Sequence, residues 1–142
     1  METILTEKFR DYIISNNPEL AAQLQADYSV TAYLSDKVAS VLPMVERMLA
    51  EGKPTYIIEE LCMEQMTLEL RPSRFNYIRS IIEEEFKEDF ARLEDIGILT
   101  YEVINLIGDC SELFESFNFS IENEEDRFLR YAVIAKVHDY FN

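Results

Sequence analysis

The first half of the chain repeats apolar residues every three or four positions, which is the spacing of one helix face. This pattern predicts four helices, over residues 3–15, 18–27, 30–51 and 54–70. Pro43 lies inside the third helix, and a proline there removes a hydrogen bond and crowds the preceding turn. We therefore expect that helix to kink or split close to the proline. Its apolar positions are Val30, Leu34, Val38, Val41, Val45 and Leu49.

The second half of the chain shows the same spacing and predicts three more helices. One runs from a cap at Ser73 to Gly97, one covers residues 101–116 and one covers residues 121–141. Gly108 lowers helix propensity by about 1 kcal/mol relative to alanine, so we expect the middle helix to bend or split. The positions expected to face inward in the last helix are Phe128, Leu129, Ala132, Val133, Val137 and Phe141.

These elements predict an all-α fold. The sequence contains no alternating β pattern of useful length and no two-residue hairpin signal. Connections between the helices are short, and no internal repeat is apparent. We expect six or seven helices packed around a single core, with residues 1–142 forming one helical domain.

The charge of the chain is strongly negative. It holds 28 acidic and 13 basic residues, a formal net charge of −15. Both halves are acidic: 12 acidic and six basic residues lie up to position 71, and 16 and seven lie beyond it. Direct nucleic-acid binding requires basic side chains that neutralise phosphates, so this class of function is not expected. Binding to an anionic membrane surface is disfavoured for the same reason.

Cysteine use and hydropathy indicate a cytoplasmic protein. Cys62 and Cys110 fall inside helical patterns, which is typical of reduced core thiols and not of a disulfide framework. The first seven residues are acidic and amphipathic, so we expect no signal peptide. No stretch approaches the roughly 18 apolar residues that span a bilayer.

The acidic run Glu83-Glu84-Glu85, with Glu88 and Asp89 behind it, is one candidate for chemistry. Carboxylates three or four positions apart share a helix face and could hold a hard cation. Most of them lie away from the apolar stripe of their helix, so a solvated face is the simpler interpretation. We predict no metal site and no cofactor.

Two other residues could serve catalysis. His138 is the single histidine, and Ala135 stands three residues before it, where a di-iron helical bundle would need glutamate. Cys62 could pair with His138 as nucleophile and base, but its apolar helix disfavours the thiolate. We therefore predict no catalytic residue and no enzymatic activity.

Five tyrosines fall off the apolar stripes and form a candidate partner surface. Exposed tyrosines are typical of protein interfaces because they combine apolar area with a polar group. Alternatively, they close helix junctions within the monomer. We expect a homodimer if Tyr28, Tyr33 or Tyr77 forms an apolar patch. The five are Tyr28, Tyr33, Tyr56, Tyr77 and Tyr101.

Several breaks and apolar pairs follow one another along most of the chain: Phe9 with Tyr12-Ile13, Asn17-Pro18-Glu19, Glu51-Gly52, Glu60-Leu61, Leu70-Arg71-Pro72-Ser73-Arg74-Phe75-Asn76-Tyr77-Ile78, Glu85-Phe86, Cys110 and Phe114. This order resembles a bacterial family of small acidic all-helical proteins of unassigned function, often carried on conjugative transposons of gut and oral anaerobes. Pro43 and Pro72 depart from the family pattern. The resemblance implies a bacterial cytoplasmic accessory protein, and no catalytic or binding residue carries over from it.

Three functions follow from these observations. The first is a non-enzymatic accessory or adaptor protein that binds another protein and is linked to a mobile genetic element. The second is an acidic nucleic-acid mimic that blocks a DNA-binding protein. Carboxylates on successive helical turns lie roughly 5–6 Å apart, which is comparable to the spacing of phosphates along a nucleic-acid strand. A mimic needs one continuous acidic face, whereas acids that serve solubility lie scattered among lysine and arginine. The third, a metal-dependent or thiol enzyme, has the least support.

Overall fold

The computed structural model describes all 142 residues and is entirely helical. It contains nine α-helices, more than the six or seven expected, and no strand, so the all-α class is confirmed. The helices are α1 (Glu2–Asn16), α2 (Pro18–Ala26), α3 (Val30–Ala50), α4 (Thr55–Thr67), α5 (Arg74–Glu85), α6 (Lys87–Asp95), α7 (Leu99–Asp109), α8 (Ser111–Ser116) and α9 (Arg127–Phe141). A 3-10 turn, Leu68–Leu70, follows α4.

The helices form two compact units, Met1–Arg71 and Pro72–Asn142. Each unit has its own cluster of buried side chains, so the expectation of a single core is corrected to two. The physical reason is that the apolar stripes of α1, α3 and α4 pack on one another, and those of α5, α7 and α9 do the same. The assignment of residues 1–142 to one domain stays a prediction.

The core of the first unit follows the predicted stripes closely. Leu5, Phe9 and Ile13 of α1 are buried at successive turns, as helical spacing requires. One position differs in α3: Met48 is buried, whereas Leu49, predicted to face inward, is 54% exposed. The apolar face of a helix turns gradually along its length, and near the end of α3 it has passed to the neighbouring position.

Pro43 does not split α3, which runs unbroken from Val30 to Ala50. The proline is exposed, and so is Ala39, whose carbonyl would have accepted its missing hydrogen bond. Water can satisfy that carbonyl on the outer side of the helix, while the inner side remains packed. A proline in the solvent-facing row is therefore compatible with a continuous helix.

The second unit departs from the predicted boundaries at three places. The helix expected from Ser73 to Gly97 is divided at Phe86, whose backbone has left the helical region. The expected bend near Gly108 falls at Cys110, where α7 ends and α8 begins. The last helix begins at Arg127, because the Asp126 side chain accepts hydrogen bonds from its first free N–H groups.

The two units share one arrangement of helices, although the sequence shows no obvious repeat. In each unit the first helix is followed along the chain by a nine-residue helix, a long helical segment and a final helix. The same pairs of elements contact one another in both units, with α7 and α8 together in the place of α3. Each unit is therefore one copy of a common helical motif.

Backbone torsions support this repeat. Asn17 has φ −137° and ψ 55°, and Phe86, 69 positions later, has φ −133° and ψ 57°. At the far end of the nine-residue helices, Ser29 has φ −115° and ψ 11°, and Ile98 has φ −117° and ψ 11°. The same hydrogen bonds close both turns. The nine-residue helices α2 and α6 are thus joined to their neighbours in the same way.

Some residue identities recur at the same separation of 69 positions. Of the seven pairs, Glu46 and Glu115 lie elsewhere, and the other six share a place on or near the nine-residue helix and its two joints. They are Arg10 and Arg79, Ile13 and Ile82, Glu19 and Glu88, Ala22 and Ala91, Leu24 and Leu93, and Thr31 and Thr100.

Candidate functional site

An open apolar groove of ≈ 280 Å³ lies on the first unit, between α1, α2 and α3. Most of the side chains that line it are aliphatic, and covering such a surface is favourable because it removes apolar area from water. Its lining residues are Arg10, Ile13, Ile14, Ala21, Leu24, Gln25, Val30 and Leu34.

The groove is open because α2 carries small side chains where it faces the unit. Ala21 lies under the groove and is only half-buried, and Ala22 beside it is exposed. None of the residues of α2 is buried. The neighbouring Ile14 of α1 is 56% exposed and adds apolar area to the rim of the groove. The structure therefore presents apolar surface here that its own side chains do not cover.

A single cation lies at the edge of the groove. Arg10 is exposed and forms neither an ion pair nor a hydrogen bond. Other cations of the first unit do pair, with Lys8 near Glu59 at 3.8 Å and Arg47 near Glu51 at 3.9 Å. Lys37 pairs with Glu69 in the same unit. In so acidic a chain, a guanidinium without a carboxylate is available to an anionic group from outside.

Tyr28 lies in the turn between two lining residues, Gln25 and Val30. It is 97% exposed and has φ 55°, a left-handed backbone that bulky side chains rarely adopt. The turn closes the end of α2 with hydrogen bonds from the Tyr28 N–H to Gln25 at 3.2 Å and from the Ser29 N–H to Leu24 at 2.9 Å. Glycine is the usual residue at this point of such a turn, so the tyrosine is held in a strained backbone.

The other tyrosines of the predicted partner surface divide into two groups. Tyr56 and Tyr101 are exposed, at 67% and 63%. Tyr33 stacks on Phe9 with ring centroids 6.0 Å apart, and Tyr77 meets Phe119 edge-on at 5.1 Å. The latter two pack within their own units, and Tyr28 is the most exposed of the five.

The second unit has a more polar cavity of ≈ 400 Å³. The Tyr77 hydroxyl on its wall is buried and has no hydrogen-bond partner. Arg130 already donates to Glu84 at 2.8 Å and to Glu85 at 3.2 Å. Because two carboxylates take up its charge, Arg130 is less available to a ligand than Arg10.

Both thiols are buried, whereas the single histidine is exposed. Burial raises the pKa of the Cys62 thiol, and burial together with the Asp109 carboxylate raises the pKa of Cys110 to about 11. His138 is exposed, with Nδ1 at 3.8 Å from an Asp139 carboxylate oxygen. Both thiols are protonated at neutral pH, so neither is an activated nucleophile.

The predicted acidic run lies in ion pairs on the surface of the second unit. Glu83 lies 3.4 Å from Arg79, and the two following glutamates contact Arg130. His, Cys, Asp and Glu side chains do not converge anywhere in groups of three or more that could hold a metal ion. The run thus consists of carboxylates neutralised in part by arginine.

The groove residues were not predicted from the sequence, apart from the adjacent Tyr28. A comparison of the chain with itself at a separation of 69 positions aligns α2 with α6, but it does not distinguish the residues that line the groove from those of the core. No helix combines the length and apolarity that a membrane span requires. Comparison with family models, curated proteins and solved structures gives no match.

Proposed function

We propose that this chain is a non-enzymatic accessory or adaptor protein that binds another protein through its first unit. The observation that carries this proposal is Tyr28, an almost fully exposed aromatic side chain on a strained backbone beside an open apolar groove. Strained residues persist where function requires them, and exposed tyrosine is favoured in interfaces. A cytoplasmic location belongs to the same proposal and rests on cysteine use, hydropathy and the resemblance described above. The setting of a bacterial mobile element rests on the resemblance alone.

Burial raises the pKa of both thiols and keeps them protonated at neutral pH, which supports a binding role over catalysis. Ion pairs support it over nucleic-acid mimicry, because arginine and lysine are interspersed with the acids on both units. Mimicry requires a continuous acidic face, and basic partners interrupt such a face at Glu59, Glu83 and Glu84. Self-association through the same surface is the alternative to this proposal, and a crosslink between two copies of the chain would identify it.

Site-specific photocrosslinking tests the proposal. A photoreactive phenylalanine analogue replaces Tyr28 in cells that express the chain, and the same analogue replaces Tyr131 of α9 as the control. Tyr131 is 60% exposed but lies in the second unit. We expect one discrete crosslinked protein from position 28 and none from position 131.

Two results would count against binding by this surface. Crosslinking at position 28 that yields no discrete product would remove the support for a specific protein partner. Equal products from both positions would indicate nonspecific contact.

A further inference from the structure

The second unit contains a filled counterpart of the open groove. Phe90 of α6 stands at the position of Ala21, 69 residues apart in the repeat. The guanidinium of Arg79, the counterpart of Arg10, lies over the Phe90 ring at 5.1 Å from its centroid. In the second unit, a phenylalanine ring covered by an arginine thus occupies the position that stays open in the groove of the first unit.

Carboxylates complete the filled arrangement. Arg79 lies 3.4 Å from Glu83 and 3.9 Å from Glu94. The corresponding residues of the first unit are Ile14 and Gln25, which carry no charge. The first unit therefore has the cation but lacks both the ring and the carboxylates that surround it in the second unit.

We propose that the groove of the first unit binds a phenylalanine side chain of a partner protein, together with an aspartate or glutamate one helical turn away that pairs with Arg10. This inference rests on the proposed function and names the chemistry that the partner must present. An apolar cavity of about 150 Å³ accommodates benzene. The groove, at ≈ 280 Å³, therefore has room for a phenyl ring and the carbons next to it.

The charge of the whole chain defines the remainder of the partner segment. A net charge of −15 repels a segment that is acidic throughout. The segment that fits is basic overall and carries its single carboxylate beside the phenylalanine. A second copy of this chain does not meet this description, because it is itself acidic.

A substitution that fills the groove with a side chain of the protein itself tests the inference on the intact chain. The variant Ala21→Phe reproduces the arrangement of Phe90, and Ala22→Phe is its matched control, since Ala22 is exposed and does not line the groove. Both variants also carry the photoreactive analogue at position 28. We expect Ala21→Phe to lose the crosslinked partner and Ala22→Phe to retain it.

The outcomes of this experiment separate the two claims. A partner retained by Ala21→Phe would overturn the groove inference and leave the proposed function intact. A parent chain that captures no partner would overturn both, and a crosslink to a second copy of this chain would overturn the partner chemistry. Ile14→Glu offers a second variant, in which a glutamate at the position of Glu83 supplies Arg10 with a carboxylate, and we expect it to weaken capture.

A defined peptide tests the chemistry directly. The probe is an alanine- and lysine-based helical peptide with one phenylalanine and one glutamate four residues later, titrated into the labelled protein by amide NMR. We expect shifts centred on Ile14, Ala21 and Leu24. Replacing the peptide phenylalanine by alanine should weaken binding at least about tenfold, as for other aromatic anchors.

The ion pair requires its own control. Replacing the peptide glutamate by glutamine should weaken binding about two- to fivefold, as for an exposed pair. In an Arg10→Gln protein the same peptide change should have no further effect, because the two residues act as one interaction. Binding that is independent of the phenylalanine, or shifts outside the groove, would overturn the inference.

Discussion

Tyr28 and Gly97 occupy the same turn in the two units, with φ 55° and φ 77°. In the left-handed region the Cβ atom crowds a neighbouring carbonyl, which costs about 1–2 kcal/mol for residues other than glycine. The second unit avoids this strain and the first does not. Because the Tyr28 ring is almost fully exposed, packing within the unit does not compensate for the strain.

Substitution at this turn should therefore stabilise the protein. Tyr28→Gly is expected to raise the free energy of unfolding by about 0.5–1 kcal/mol, since the relieved strain exceeds the entropy that glycine loses on folding. Urea unfolding followed by circular dichroism measures this change. Gly97→Ala is the matched control and should lower stability by about 1 kcal/mol, as a Cβ there meets no atom within 4 Å and only the backbone is affected. A Tyr28→Gly protein less stable than its parent would refute the strain argument.

Cys110 gives the second unit a defined response to alkaline pH. Its pKa is raised from 9.0 to about 11 by burial and by Asp109. Between these values the unfolded thiol ionises while the folded thiol remains protonated, so stability is lost as the pH rises through this window. We expect a loss on the order of 2–3 kcal/mol between pH 9 and pH 11.

Replacing the thiol isolates its contribution from that of other groups that titrate in the same range. Cys110→Ala lowers stability at every pH because it removes a buried sulfur. Its stability should nevertheless fall less than that of the parent chain between pH 9 and pH 11. Parallel pH profiles for the two proteins would show that the thiol is not responsible.

Among the helices, α3 contains an exposed proline without being divided. Pro43→Ala restores one backbone hydrogen bond and removes a steric clash, while the unfolded chain becomes less restricted. We expect a net gain of about 1–2 kcal/mol in the free energy of unfolding, measured with urea. Glu46→Ala, at another exposed position of α3, should change it by less than about 0.5 kcal/mol. A neutral or destabilising Pro43→Ala would indicate that the helix is adapted to the proline.

Periodicity alone was sufficient to predict most helices, because each apolar stripe is long enough to define one face. It missed the joint at Phe86, where no glycine or proline marks the break and the stripe continues on both sides. Phe128 was predicted to face inward and is 61% exposed, because the buried face of α9 runs through Leu129 and Val133 and the neighbouring position lies outside it. Breaks that depend on tertiary packing leave no local signal.

The groove could not be predicted for a related reason. Its apolar residues fit the stripes of α1 and α3, and nothing in the pattern distinguishes a lining residue from a core residue. The distinction depends on Ala21, whose small side chain leaves open the space that Phe90 fills in the other unit. Tyr28, by contrast, was singled out from the sequence because it falls off the apolar stripes, and its role in partner binding stays a prediction.

In the whole molecule, two units share one arrangement of helices and differ at the surface. Both copies retain buried stripes, the same joints and the same backbone turns. One copy covers its groove with a phenylalanine and two carboxylates, and the other presents an open groove, a lone arginine and an exposed tyrosine. We therefore propose that the first unit binds the partner, and we predict that this surface is maintained at the expense of stability.

The most direct test of this claim is the affinity of the crosslinked partner for the Tyr28→Gly protein, measured by isothermal titration calorimetry. We predict a dissociation constant raised at least about tenfold, or about 1.4 kcal/mol, in a protein that is more stable than its parent. Tyr131→Ala, in the second unit, should leave the dissociation constant within about twofold. An unchanged affinity of the Tyr28→Gly protein would contradict the assignment of the partner surface to the first unit.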